Sequence, residues 1–279
     1  AAAFDHGYTP VSKILDAPYV SPAGVDGTFY KPTNYSGRWY GESTLRRGIE
    51  LSRNAMTVRL ANAMGLEHMS EYGERFGIYD NLPPYESMAL GAGETTLWRM
   101  VTAYSELVNG GKRIEPTIID RVQDRDGSTI YRHDERECID CTVENAEDWA
   151  TAPPPRLSDP REQIIDPITA YQIVSILEGV VERGTARSSV GDLDWPLAGK
   201  TGTTNNQVDT WFVGFSPRIT VGVWVGRDLK APIGKKMTGA KAAQPIWNAF
   251  MSAYLDTLDE ATRAEDFSIP AGVVFTPVD

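Results

Sequence analysis

Four consecutive residues, Lys200-Thr201-Gly202-Thr203, combine groups that could do chemistry together. An ammonium group and two hydroxyls could hold a carboxylate, and the free N–H groups of an edge strand could pair with a peptide or point at an oxyanion. Gly202 weakens a strand interior and marks a close backbone approach, which favours an edge strand. The stretch therefore indicates anion and peptide binding, while an ordinary strand end with an exposed lysine explains the same residues equally well.

A small antiparallel sheet is the element that must position these residues. Residues 209–215 and 219–226 have the β-branched and aromatic composition of strands, and a Ser-Pro pair supplies the turn between them. Together with the lysine-containing stretch they predict a three-stranded meander. Because successive side chains of a strand point to opposite faces, we expect Thr201 and Thr203 on one face and Lys200 on the other.

A second group of polar residues, Ser52-x-Asn54, lies far upstream between two predicted helices. Ser43 or Thr44 is expected to cap the first helix, and the apolar spacing of that helix brings Ser52 to its buried side at the helix end. Asn54 then begins the next helix. On their own, these residues indicate a helix-to-helix turn with local hydrogen bonds from side chain to backbone.

The two motifs together are two of the three parts of the signature of penicillin-recognising serine enzymes. The sequence strongly resembles the transpeptidase domain of class A penicillin-binding proteins over nearly its whole length. Further segments that carry the resemblance are Gly199–Pro217, Gly91-Ala92-Gly93-Glu94, Asn109-Gly110-Gly111, Thr238-Gly239 and Pro245-Ile246-Trp247. The resemblance implies an α/β fold of the α+β layered kind, in which helices flank an antiparallel sheet and the N-terminal part is missing.

The resemblance implies a peptidoglycan D,D-transpeptidase that cross-links stem peptides ending in D-Ala-D-Ala through a serine acyl-enzyme and is the target of β-lactams. It assigns to Ser52 the shuttling of a proton between the nucleophile and the leaving nitrogen. Asn54 would hydrogen-bond the substrate amide. Lys200 would favour the substrate carboxylate and keep Ser52 oriented.

Substrate and β-lactam binding falls, by the same resemblance, to Thr201, Gly202 and Thr203. The two hydroxyls would bind the carboxylate, and the Thr203 backbone N–H would give half of the oxyanion hole. No metal and no cofactor is expected. Two other functions would use the same cleft: a non-catalytic module that binds peptidoglycan peptides or β-lactams, and a D,D-carboxypeptidase or β-lactamase on the same fold.

The third part of the signature, Ser-x-x-Lys, is absent, because no serine in the 279 residues has a lysine three positions later. In the family, the helix that carries this motif is followed by a sequence much like residues 1–8. We therefore expect that the chain begins just after its nucleophile. We also expect that the upstream segment is a separate piece docked against the meander, and that the chain folds poorly without it.

The chain carries 38 acidic residues against 27 lysines and arginines, a formal net charge of −11. This charge argues against nucleic acid and against an anionic membrane surface as main partners. The sequence contains no apolar run of the roughly 20 residues that a membrane span needs. The resemblance places the domain at the extracytoplasmic, periplasmic face of the inner membrane, anchored through a segment missing from this sequence.

The two cysteines, Cys138 and Cys141, form a single C-x-x-C among polar residues. A zinc site needs further ligands, of which His133 is the one histidine nearby, and a thioredoxin-like site needs a βαβ setting. The residues alone leave two inert thiols as an alternative. Because the family is extracytoplasmic, the resemblance favours a disulfide between the two cysteines.

Residues 1–279 are expected to form one transpeptidase domain that lacks its N-terminal strands and nucleophile helix. The polar, proline-rich residues 132–163 predict a long surface excursion from it. The remaining elements are predicted from caps and turn residues. They are a helix capped by Thr95 or Thr96, a hairpin around Asp126-Gly127, a helix from Asp166-Pro167 to Gly184, and a last helix over Gly239–Tyr254.

Overall fold

The computed structural model describes residues 1–22, 28–139, 156–190, 193 and 195–277. Two compact units emerge: the first contains Ala1–Lys112 and Ile164–Asp279, and the second contains Arg113–Gln163. The candidate motifs all belong to the first unit. The hairpin around Asp126-Gly127 belongs to the second unit, together with the segment expected to cross the surface.

Nine α-helices and nine strands occur in the described part of the chain. The helices are α1 (Ala2–Asp5), α2 (Leu45–Glu50), α3 (Asn54–Met64), α4 (Leu66–Arg75), α5 (Leu97–Val108), α6 (Pro167–Glu182), α7 (Arg187–Val190), α8 (Gly239–Leu255) and α9 (Glu260–Arg263). The strands are β1 (Lys13–Asp16), β2 (Ser21–Pro22), β3 (Phe29–Tyr30), β4 (Gly41–Thr44), β5 (Arg121–Gln123), β6 (Thr129–Arg132), β7 (Ala198–Thr203), β8 (Thr210–Phe215) and β9 (Thr220–Val225).

The predicted meander is confirmed as a three-stranded antiparallel sheet of order β7-β8-β9. Strand β7 is at its edge, and Lys200 pairs with Val213 of β8, which in turn pairs with Gly222 of β9. A Cβ atom added at Gly222 would lie 2.5 Å from Val101 of α5, so α5 packs directly on this face. Lys200 therefore points to the face of the sheet that α5 covers.

The opposite face of the sheet packs on α8 through Trp247. Its ring lies 5.0 Å from that of Phe212 in an edge-to-face arrangement, and its Nε1 donates to the carbonyl oxygens of Gly214 and Val221. A Cβ atom at Gly214 would lie 2.8 Å from the Trp247 ring, so this close packing requires glycine there. Thr201 pairs with Phe212 and shares this second face.

The helix starts that were predicted from capping residues are confirmed. Thr44 caps α2 by accepting from the N–H of Arg47, and Thr96 caps α5 in the same way. Asp166 caps α6, with Pro167 as the first helical residue. These side chains satisfy N–H groups that would otherwise have no partner at a helix start.

A short ladder fixes the entry to α2 and was not predicted. Strand β1 pairs with β4 in antiparallel register, with Lys13 opposite Thr44. The N–H of Leu45 then donates to the carbonyl of Ser12. The ladder holds the start of α2, and α2 leads directly to Ser52.

The second unit contains the predicted hairpin, in which β5 pairs with β6 in antiparallel register and Arg121 lies opposite Arg132. Gly127 adopts a φ of 83°, which the turn requires and glycine supplies. Cys138 is disulfide-bonded. Cys141 lies outside the described residues, so the pairing with Cys141 stays a prediction.

Helices long and apolar enough to cross a membrane are absent from the part of the chain that the structure describes.

The packing of α8 predicts a large loss of stability for Trp247→Ala. The side chain is fully buried and donates two hydrogen bonds, so its removal should lower the free energy of unfolding by about 3–5 kcal/mol. Trp98→Ala is the matched control, because this tryptophan of α5 is 49% exposed. Its replacement should lower the free energy of unfolding by less than about 1 kcal/mol. Equal losses in urea unfolding would contradict the described core.

Cys138 and Cys141 should be joined in protein taken from an oxidising compartment. Thiol counting under denaturing, non-reducing conditions should then find no free thiol, and two should appear after reduction. Two free thiols before reduction would rule out the pairing.

Candidate active site

Ser52 occupies a tight turn between α2 and α3. Its φ of 53° is in the left-handed region, which costs a non-glycine residue about 1–3 kcal/mol unless its surroundings enforce it. Two backbone hydrogen bonds hold the turn: the N–H of Ser52 donates to the carbonyl of Ile49, and the N–H of Arg53 donates to the carbonyl of Gly48. Strain of this kind is typical of positions where a side chain must take one direction.

The side chain of Ser52 meets Lys200, 148 residues further along the chain. The Lys200 Nζ donates to the Ser52 Oγ at 3.0 Å and to the carbonyl of Thr201 at 3.0 Å. Burial lowers the pKa of the Lys200 amine to about 8. At neutral pH the group is still mostly protonated and carries its charge in a poorly solvated place, where attraction of an anion is strong.

The threonines of β7 lie on the other face of the strand, each with a different neighbour. The Thr201 Oγ1 lies 3.1 Å from the Thr185 Oγ1, and the Thr203 Oγ1 accepts the N–H of Gly239 at 3.0 Å. Because that backbone N–H is the donor, the hydroxyl proton of Thr203 is left to donate elsewhere. The site therefore offers a charge from one face of β7 and hydroxyls from the other.

Gly239 allows the first turn of α8 to lie directly on β7. An added Cβ atom would be 2.5 Å from the carbonyl oxygen of Trp211 and 2.6 Å from that of Gly202. No side chain fits in that gap. The approach of the α8 backbone to the strand therefore depends on Gly239, whereas a Cβ atom at Gly202 would lie 3.1 Å from the Trp211 side chain.

Asn54 is the first residue of α3, two positions after Ser52. Its Nδ2 donates to the carbonyl of Thr33 at 2.8 Å. Among the described hydrogen bonds, none joins the Asn54 side chain to Ser52 or Lys200. The structure thus brings Ser52 and Lys200 into direct contact and anchors Asn54 beside them through the preceding loop.

Arg53, between the two motif residues, fixes the turn to that loop. Its guanidinium lies 3.6 Å from the ring centroid of Tyr40, and its Nε is 4.0 Å from the Asp16 carboxylate. Asp16 also accepts from the Nδ2 of Asn34. These contacts join the turn to the preceding loop and to β1 at the residue next to Ser52.

Sequence reasoning did not find Thr185 or assign Gly239 to the site. Thr185 follows the glycine that was interpreted as the end of α6, which gave no reason to place it against β7. Gly239 was part of a segment that carried the family resemblance, but only the packing of α8 shows what a glycine does there. Groups of three or more metal-ligating side chains are absent from the described residues.

A family model described as the penicillin binding protein transpeptidase domain matches residues 1–252. Penicillin-binding protein 1A of Rickettsia bellii is 44% identical over 260 residues, which cover 91% of this chain and 32% of that protein. The protein of the same name from Rickettsia conorii is 40% identical over 285 residues, covering all of this chain and 34% of that protein. The chain therefore spans about a third of the length of these relatives.

Solved structures of this family superimpose on the fold. The crystal structure of penicillin-binding protein 1A from Haemophilus influenzae gives a TM-score of 0.84 at 28% identity, covering all of this chain and 43% of that one. PonA1 from Mycobacterium tuberculosis in complex with penicillin V gives 0.69 at 22% identity, covering 99% of this chain and 72% of that one. At that lower identity the likeness shows the fold alone.

The surroundings of Lys200 predict an amine that titrates near pH 8. Reductive ¹³C-methylation followed by an NMR pH titration should show one lysine resonance with a midpoint of about 8, because burial disfavours the charged form. The resonance should be missing in Lys200→Gln and present in Lys13→Gln, which alters an exposed lysine of β1. A spectrum without such a resonance would contradict the described burial.

Proposed function

The chain belongs to the penicillin-binding protein transpeptidase family, as a domain of the class A kind, and we propose that it is the D,D-transpeptidase part of a peptidoglycan-synthesising enzyme. The family match over residues 1–252 and the likeness to penicillin-binding proteins 1A support the proposal. The observation that carries it is the contact of Ser52 with Lys200 on an edge strand. A strand edge of this kind is suited to an extended peptide.

Ser52 and Lys200 have complementary roles in this proposal. Because Lys200 donates to the Ser52 Oγ, the oxygen already accepts one hydrogen bond and its own proton is free to be passed on. We assign that proton to the nitrogen of the leaving group, with the proton of the nucleophile replacing it. Asn54 is assigned to the substrate amide, within reach because it starts the helix that follows Ser52.

The substrate carboxylate is assigned to Thr201 and Thr203, next to the charge of Lys200. Hydroxyl donors to a carboxylate form charge-assisted hydrogen bonds, which are shorter and stronger than neutral ones. Gly202 leaves the Lys200 face of the strand without a side chain next to the lysine. The Thr203 N–H is assigned to the oxyanion hole, where one donor contributes about 10²–10³ in rate.

The proposed transpeptidation has two steps, acylation of the enzyme and transfer of the acyl group to an amine. A serine oxygen bonds to the carbonyl carbon of the penultimate D-Ala, the peptide C–N bond breaks, and terminal D-Ala leaves with the proton that its nitrogen received. An amine of a neighbouring stem peptide then bonds to the same carbon, and the serine oxygen leaves and regains a proton. A β-lactam follows the first step and stops at a slow acyl-enzyme.

The nucleophile of these steps belongs to a Ser-x-x-Lys segment, which the 279 residues do not contain. We therefore propose that the active form joins this chain to such a segment, and we call that polypeptide or assembly the complete enzyme. Its partners are the D-Ala-D-Ala stem peptide and β-lactams. The match of residues 1–252 to the penicillin binding protein transpeptidase model supports β-lactams as the ligand class.

The proposed location is the periplasmic face of the inner membrane, where the substrate is found, with the anchor outside this sequence. The disulfide bond at Cys138 supports an oxidising compartment.

The test is covalent labelling of the complete enzyme with a penicillin, followed by intact-mass measurement. One penicillin should add to the Ser-x-x-Lys segment, and none to a polypeptide that consists of residues 1–279 alone. Lys200→Ala should slow acylation by roughly 10²–10³ because a positioned charge is lost. Lys13→Ala, at an exposed lysine of β1, is the matched control and should leave the rate unchanged.

The pH dependence has a definite sign. Lys200 is protonated below its pKa of about 8, so the acylation rate should be retained below that value and should fall as the pH rises through it. Labelling of residues 1–279 alone, or equal rates for Lys200→Ala and wild type, would overturn the proposal. Absence of labelling in the complete enzyme would favour a non-catalytic binding module, and rapid loss of the adduct would favour a β-lactamase or carboxypeptidase.

A further inference from the structure

One residue touches both halves of the proposed site without belonging to either motif. Thr185 follows α6, and its N–H donates to the carbonyl of Glu50 at 3.1 Å, two residues before Ser52. Its Oγ1 lies 3.1 Å from the Thr201 Oγ1 on β7. The backbone of Thr185 thus bonds to the end of α2, while its side chain bonds to the strand.

The Glu50 side of this connection is closely packed. The Glu50 side chain is 2% exposed, and the Nη2 of Arg183 donates to its Oε1 at 2.7 Å. A Cβ atom at Gly184 would lie 2.4 Å from the Glu50 carbonyl oxygen, and one at Gly179 would lie 2.2 Å from its Oε1. Only glycine fits at these two positions, and the close packing together with the Thr185–Glu50 hydrogen bond holds Thr185 next to the Ser52 turn.

The α8 side of the connection is equally fixed. Ala186 is fully buried, and its carbonyl accepts the Nε2 of Gln244, a buried side chain of α8. Thr185 therefore lies between two anchored neighbours. Its backbone is therefore held on both sides, and its Oγ1 lies within hydrogen-bond distance of the Thr201 Oγ1.

The direction of the hydroxyl bond follows from proton counting. A carboxylate accepts hydrogen bonds and donates none, so Thr201 must use its one proton on such a ligand. The bond between the two threonines can then persist only if Thr185 donates and Thr201 accepts. Hydrogen bonds in such a chain polarise one another, and the final one, to a charged acceptor, gains strength.

Thr203 has the same arrangement with a different donor. Its oxygen accepts from the N–H of Gly239, and its proton is free for a ligand. The hydroxyl oxygen of each threonine thus accepts from one donor on the protein side. The donor is a side-chain hydroxyl at Thr201 and a backbone N–H at Thr203. Of these two donors, the hydroxyl can be removed without changing the backbone.

We propose that Thr185 is a positioning residue of the transpeptidase site, whose hydroxyl orients that of Thr201 toward the carboxylate of the substrate or β-lactam. The inference rests on the proposed function, because it assumes an anionic ligand along β7. It assigns Thr185 no contact with the reacting atoms.

The test compares Thr185→Val with Thr185→Ser in the complete enzyme. Valine keeps the branched shape and removes the hydroxyl, whereas serine keeps the hydroxyl. The measured quantity is the second-order acylation rate constant for a penicillin and for its methyl ester, which lacks the anionic carboxylate. Thr185→Val should lower the rate for the free acid roughly three- to tenfold, the effect of one net hydrogen bond, and leave the ester rate within about twofold.

Thr185→Ser should restore the free-acid rate, and Thr102→Val is the matched control, because Thr102 donates only to the carbonyl of Trp98 within α5. Thr185→Ala removes the same hydroxyl and replaces Thr185→Val if thermal melting shows that the valine variant is unfolded. An unchanged free-acid rate, or an equal loss for acid and ester, would overturn the positioning role.

The failure of the positioning role and the failure of the proposed function give different results. If the wild-type enzyme acylates acid and ester at equal rates, no carboxylate site exists on β7, and both proposals fail. If the wild type prefers the acid and Thr185→Val retains that preference in full, the proposed function stands and Thr185 has no part in it.

Discussion

The contact between Lys200 and Ser52 is the interaction on which the arrangement of the first unit depends. It joins an amine on an edge strand to a hydroxyl on a helix-to-helix turn, across 148 residues of chain. A contact of 3.0 Å between such distant positions requires that neither element can move independently. The β1–β4 ladder fixes the start of α2, the Arg53 contacts join the turn to the preceding loop, and α5 and α8 hold the sheet between them.

The same contact holds two groups in unfavourable states. Ser52 has a left-handed φ, and Lys200 keeps a charge where burial lowers its pKa. Neither state would persist without stabilisation from the surrounding structure. The stabilisation comes from the core under Trp247 and from the ion pair of the buried Glu50 with the partly exposed Arg183. Functional sites commonly reduce stability locally in this way, and a rigid scaffold makes that possible.

Local sequence patterns predicted the features of the fold that depend on neighbouring residues alone. Capping residues predicted the starts of α2, α5 and α6, and β-branched runs with their turn predicted the meander and the edge position of Lys200. The hydroxyl contact of Thr185 with Thr201 could not be predicted, because it depends on where the end of α6 packs against β7. The gap that only Gly239 can fill has the same origin, since it depends on the approach of α8. The β1–β4 ladder was missed because four-residue strands leave little periodicity to detect.

Alternation along β7 explains why different parts of the chain form the two sides of the site. It places Lys200 on the face covered by α5 and the two threonines on the face covered by α8. A ligand along the edge therefore receives charge from one side and hydroxyl donors from the other. The α2–α3 turn contacts the lysine through Ser52, while Thr185 after α6 and Gly239 at the start of α8 contact the threonines. Thr185 connects the α2 side of the site to the threonine side, because its backbone N–H donates to Glu50 and its hydroxyl contacts that of Thr201.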